Sequence, residues 1–159
     1  MTPLFPKESP AERRIREAAC LFSDIGWRRH PDDRAMGAFV QVLRGAYGGA
    51  NHHERALMAS AAYYRYAGDD NFPEETGVAG LLGAEGAVVA QQIGLAARLA
   101  FGLSGAIEGE LPKIKLHLAK DAVTLEMPAP KKALLGETVH KRLADLADAF
   151  GRKPQTEVG

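Results

Sequence analysis

The sequence predicts a mostly α-helical domain with one β-hairpin near its C-terminal end. Apolar residues recur at helical spacing through most of the chain. A strict two-residue alternation occurs between Ile114 and Met127. Capping and breaking residues divide these stretches at the places the two periods require. The chain has 159 residues, enough for one domain with a substantial core. Its 46% hydrophobic and 25% charged residues are those of an ordinary globular protein. The formal net charge is zero, so no global field favours a polyanion. Neither DNA nor a membrane is expected as a partner. No stretch approaches the roughly 18 apolar residues of a membrane span. The opening MTPLFPKESP lacks a secretory apolar region. The single cysteine, Cys20, forms no internal disulfide, which fits a reducing cytoplasm.

Residues 1–10 hold three prolines and read as a linker or disordered end. Ser9, Pro10 and Glu12 have the spacing of a capping box at a first helix. Ile15, Ala18, Ala19, Phe22 and Ile25 continue it until Gly26. A second helix is expected to start at Pro31, with Asp32 and Asp33 in its first turn, and to run to about Ala46. Asn51 caps a third, His52 to Ala67, whose alanines imply close packing and a central position. GDDNFPEE, residues 68–75, reads as a loop. A fourth helix is expected from Leu81 to Leu103. Ile114, Leu116 and Leu118, then Val123, Leu125 and Met127, form the hairpin about Lys120-Asp121. A last helix is expected from Lys131 to Phe150, ended by Gly151 and Pro154. The domain should cover residues 11–151, with 152–159 as a tail. There is no internal repeat.

Two phrases carry a family resemblance. REAACLFSDIGWRRHPDDR, Arg16 to Arg34, and GGANHHERALMASAAYYRYAG, Gly48 to Gly68, resemble the C-terminal helical domain of the exopolyphosphatase / guanosine-pentaphosphate phosphohydrolase family. The matching residues are Ala19 to Arg28, His30 to Asp32, His52 to Ala56 and Tyr63 to Arg65. The resemblance implies an HD-like helical bundle. It also implies a parent enzyme that removes terminal phosphate from polyphosphate with Mg²⁺, using an N-terminal actin-like phosphatase domain. This chain has no glycine-rich phosphate loop of its own.

An HD-type metal site needs a His-Asp pair, an earlier histidine and a later aspartate to hold an ion with an open position. Here Ser23 stands where the paired histidine would be, and only Asp24 remains. No histidine precedes residue 23, and QQIGLAARLAFGL, Gln91 to Leu103, has no acid. The expectation is therefore no metal, no cofactor and no catalytic residue in this chain, with Mg²⁺ belonging to the parent enzyme. Asp24 is expected to accept hydrogen bonds from Trp27 or an arginine. In His52-His53-Glu54, neighbouring helical side chains point about 100° apart and rarely share an ion.

Arginine suits phosphate because its planar fork donates paired hydrogen bonds while staying charged. Arg28, Arg29, His30, Arg34 and Arg55 are the expected polyphosphate-binding residues; ordinary ion pairs with Asp32, Asp33 or Glu54 are the competing reading. The expected function is a cytoplasmic accessory domain of an exopolyphosphatase, inactive alone, that aids polyphosphate binding and homodimerisation. The alternatives are a freestanding HD-type metal-dependent phosphohydrolase and a pure dimerisation module.

Overall fold

A computed structural model describes residues 4–68, 72–73, 76–105, 107, 109 and 111–159. Most of the GDDNFPEE loop lies outside the described residues. The protein is mostly helical with a small C-terminal sheet, as the two sequence periods predict. The helices are α1 (Pro10–Leu21), α2 (Arg34–Leu43), α3 (His52–Ala67), α4 (Val78–Ser104) and α5 (Glu137–Ala149). The strands are β1 (Lys115–Leu118), β2 (Ala122–Met127) and β3 (Lys153–Val158). The chain divides into two compact units, Glu8–Ala97 and Met1–Lys7 with Arg98–Gly159.

In the first unit the two N-terminal caps are local and form as their sequences dictate. Ser9 Oγ accepts from the Glu12 amide and Glu12 returns a bond to the Ser9 amide. Asn51 and Glu54 do the same at α3. α3 is the centre of this unit: Ala56, Met58, Ala59, Ser60, Ala61 and Ala62 are all buried. Its small side chains let another backbone come close. A Cβ at Gly94 of α4 would lie 2.5 Å from the Ala61 carbonyl oxygen and from Tyr64 Cβ. α4 begins earlier than expected, at Val78, and is two helical stretches joined at Gly83, whose φ of 66° breaks the helix. α4 is also long and apolar enough to cross a membrane, contrary to expectation, with a mean hydropathy of 1.3. The helix is broken at Gly83, one third of its apolar window is buried, and Ala90, Ile93, Leu95, Ala96 and Ala97 are among its buried residues.

α2 is shorter than expected. Pro31–Asp33 forms a separate 3-10 turn, and the helix ends at Leu43 rather than Ala46. The segment read as a linker also carries structure. Leu4 is 1% exposed and the Phe5 and Phe150 rings lie 5.8 Å apart, both in the second unit. Glu8, in the first unit, forms a two-pronged pair with Arg16: Nε to Oε2 at 2.8 Å and Nη2 to Oε1 at 2.6 Å. Both side chains are nearly inaccessible, 6% and 5% exposed.

The second unit holds the sheet, in the order β1-β2-β3. The hairpin expected from the alternation is present, with Leu116 opposite Leu125 and Leu118 opposite Val123. β3 is the difference. Lys153–Val158, read as a tail, pairs in parallel with β2, with Leu125 opposite Thr156. Parallel strands need a crossover, and α5 supplies it. Its residues Val139, Leu143 and Leu146 are buried, as are Val123, Leu125 and Met127 of β2. Pro154, read as a terminator, is tolerated because β3 is an edge. The Lys153 and Gly159 amides donate to Asp121 and Met127, so the alternation turns the Pro154 nitrogen to the open side. α5 starts at Glu137, not Lys131. Pro130 sits within a 3-10 stretch, Ala129–Leu134, and Gly136 then caps α5.

The Glu8–Arg16 pair makes a pH-dependent contribution. Arg16, through its hydrogen bonds, holds the Glu8 carboxyl below the ordinary value of 4.5. A lowered folded-state value stabilises the protein above the unfolded value and is lost as pH falls through the folded one. Glu8→Gln is expected to cost about 2–3 kcal/mol at pH 7. In urea titrations the gap from the parent protein should narrow as pH falls below the ordinary carboxyl value of 4.5 and vanish once Glu8 is protonated in the folded state.

Candidate functional site

The segment from Phe22 to Arg34 consists of short turns because nothing in it sustains a helix. Phe22–Asp24 continues α1 as one 3-10 turn. Gly26 to His30 then crosses to the second turn, where Pro31 takes the first position and His30 Nδ1 accepts from the Asp32 amide at 3.5 Å. Two internal bonds fold the crossing: Trp27 N–H to the Asp24 carbonyl at 3.2 Å, and Arg29 N–H to the Gly26 carbonyl at 3.0 Å.

Gly26 fixes this segment to the helices beneath. It is buried, and its N–H donates to Tyr66 Oη at 3.0 Å. A Cβ there would lie 3.0 Å from the Arg34 carbonyl oxygen, 3.0 Å from Tyr66 Cε2 and 3.2 Å from Ala38 Cβ. Only a residue without a side chain lets the turn sit this low on α2 and α3. Tyr66 itself is held by the Arg65 guanidinium, 4.6 Å from its ring centre. Burial raises the Tyr66 hydroxyl above its ordinary value, so at neutral pH it remains a neutral acceptor for the amide.

Four of the five expected phosphate residues lie in this segment, and they are used differently. Arg29 is folded down: its Nη2 donates to Gln41 Oε1 at 3.3 Å, and its chain lies across Gly37, where a Cβ would come within 2.5 Å. Arg34 ties the segment back, Nε donating to the Arg29 carbonyl at 3.0 Å. Arg28 stands out in solvent with its guanidinium 5.0 Å from the Trp27 ring centre. Trp27 is 55% exposed. His30 is exposed too, its Nδ1 3.5 Å from Asp32 Oδ2. Arg55 lies elsewhere, on α3, with Nη2 2.6 Å from His52 Nδ1. Glu54, one of the three carboxylates offered as ion-pair partners, accepts from Arg14 at 2.6 Å.

Ser23 and Asp24 sit on the first 3-10 turn. The expected bond from the Trp27 side chain to Asp24 is replaced by the backbone bond above. Among the described residues no group of three or more His, Cys, Asp or Glu side chains converges as metal ligands would. His52 and Glu54 are engaged by Arg55 and Arg14. The Cys20 thiol is pushed up by burial, away from the thiolate form that reacts. A cavity of about 60 Å³ lined by Ser60, Tyr64, Phe72, Ala79, Leu82 and Ala87 is almost wholly apolar.

Sequence reasoning missed Tyr66 as the anchor. The residue stands beside the Tyr63–Arg65 phrase, but its partner is 40 positions away and no local signal links them. Gly26→Ala tests the close approach. The added methyl should destabilise the protein by about 1–2 kcal/mol, measured by urea denaturation, because backbone and ring must both yield.

Among known proteins, residues 5–156 match the family described as exopolyphosphatase, C-terminal. No curated protein matches the chain.

Proposed function

This chain belongs to the exopolyphosphatase C-terminal family, and from that premise we propose that it is an accessory domain that binds polyphosphate through the Gly26–Arg34 segment. The observation that carries the reading is the presentation of Arg28 and His30 on a turn tied to α2 and α3. A side chain already positioned loses less freedom when it meets a ligand. Arg28 offers a guanidinium fork that matches phosphate oxygens. Arg29 uses one terminal nitrogen on Gln41 of α2 and Arg34 uses Nε on the Arg29 carbonyl, and a guanidinium has five N–H donors. Asp32 and Asp33 lie close by and oppose an anion, so binding is modest and sensitive to salt.

The catalytic work belongs to an N-terminal actin-like phosphatase domain of a parent enzyme, with Mg²⁺ held there. In this chain, Ser23 offers a neutral hydroxyl and Asp24 a single carboxylate. That donor set is too small to hold an ion and generate hydroxide, so no hydrolytic step runs through these residues. The HD-like ancestry is read in the same light: a helical frame retained, with its ligands replaced. Homodimerisation belongs to the same proposal, with Leu81 and Val88 of α4, 47% and 46% accessible, as its contact residues. The setting is cytoplasmic.

Binding of inorganic polyphosphate to the full 159-residue chain tests the reading. Arg28→Ala should weaken it roughly fivefold and lower the slope of log affinity against log salt by about one. Equal affinity in the variant would refute the assignment of the site. Metal-dependent cleavage of a chromogenic phosphate ester, lost in Asp24→Ala, would restore the enzyme reading.

A further inference from the structure

Polyphosphate gives no use for Trp27. It is the chain's only tryptophan, it is 55% exposed, and it stands on a turn whose neighbouring backbone is pinned. A large aromatic ring on the surface is normally a recognition element or an accident of packing. Here its surroundings argue for recognition. The Arg28 guanidinium lies 5.0 Å from the ring centre, forming an aromatic–cation pair that faces solvent. Arg29, His30 and Pro31 beside it are exposed as well. Arg34 and the Gly26–Tyr66 bond hold the turn from below. An aromatic face with cationic forks within a few residues is the arrangement that binds an unpaired base and its flanking phosphates together.

We infer that the Trp27–Arg28 pair is a stacking platform for single-stranded nucleic acid. An unpaired base stacks on the pair while Arg28, His30 and the free donors of Arg29 take the adjacent phosphates. This departs from the expectation drawn from the zero net charge. A net charge describes the far field, whereas stacking is local and independent of it. Base identity is not read, because every base has a π-face and the pair offers only stacking and charge. Asp32, 87% exposed, opposes the backbone on one side and keeps the contact weak. The inference rests on the same turn as the polyphosphate reading but on a different side chain.

That difference makes the two separable. Because Trp27 is the sole tryptophan, its fluorescence reports on this site alone. Titration of the full chain with ten-nucleotide oligo(rA) and oligo(dA) should quench it strongly, whereas inorganic polyphosphate of equal charge should bind with little quenching. A preference between the two oligonucleotides shows whether the ribose hydroxyl is read. In anisotropy with labelled oligonucleotide, Trp27→Leu should lose affinity roughly tenfold while Trp27→Phe retains most of it. Polyphosphate binding should be unchanged in both. If neither oligonucleotide quenches the tryptophan, or if Trp27→Leu binds within twofold of the parent chain, the platform is refuted. Arg28→Ala should weaken oligonucleotide and polyphosphate alike; loss of polyphosphate binding alone would refute the pair as the platform.

Discussion

One hydrogen bond organises the Phe22–Arg34 segment. The Gly26 amide donates to Tyr66 Oη, across 40 residues of sequence. It can form because Gly26 has no side chain, which lets the turn descend until it touches Arg34, Ala38 and the Tyr66 ring. The bond satisfies a buried amide that would otherwise be costly to leave unpaired. It also sets the height and direction of the residues that follow. With the turn lowered, Arg29 falls across Gly37 and reaches Gln41, and Arg34 meets the Arg29 carbonyl. Trp27, Arg28 and His30 are left outside. The division of the arginines into holders and presenters follows from that single contact.

The chemistry available at the site follows from the same division. The segment presents cations and one aromatic ring but no assembled group of acids or imidazoles. Ser23 and Asp24 lie on the first 3-10 turn, and among the described residues no group of three or more His, Cys, Asp or Glu side chains gathers as metal ligands would. The remaining histidines of the helical unit are occupied or dispersed, with His52 against Arg55 and His30 near Asp32. Such a surface can hold an anion and orient it. The proposed binding role draws on those cations.

What the sequence disclosed was local. Ser9 with Glu12 and Asn51 with Glu54 announce their helices because each cap closes within four residues. The alternation from Leu116 to Met127 discloses the hairpin because Leu116 and Leu118 share a half-buried face of β1 and Val123, Leu125 and Met127 a buried face of β2. β3 was hidden for the opposite reason: Lys153, Pro154, Gln155 and Glu157 are exposed, so no apolar alternation marks the strand. Its partner is reached only through a helical crossover. Glu8–Arg16 and Phe5–Phe150 likewise depend on where the chain returns, and a proline-rich opening gave no sign of either. In the site, Arg28 and His30 were legible as basic residues next to a helix breaker. That Arg29 would be spent on α2, and that Arg55 would pair with His52, required the fold.

The account rests on the turn being held from beneath. Amide hydrogen exchange at Gly26 measures that directly, because its only described acceptor is the Tyr66 hydroxyl. In the parent protein this amide should exchange far more slowly than those of neighbouring exposed positions such as Arg28. In Tyr66→Phe its protection should fall by roughly tenfold, the loss expected for one hydrogen bond, while amides in the middle of α3 keep theirs. A Gly26 amide that exchanges freely in the parent protein, or one equally protected in the variant, would contradict the central claim.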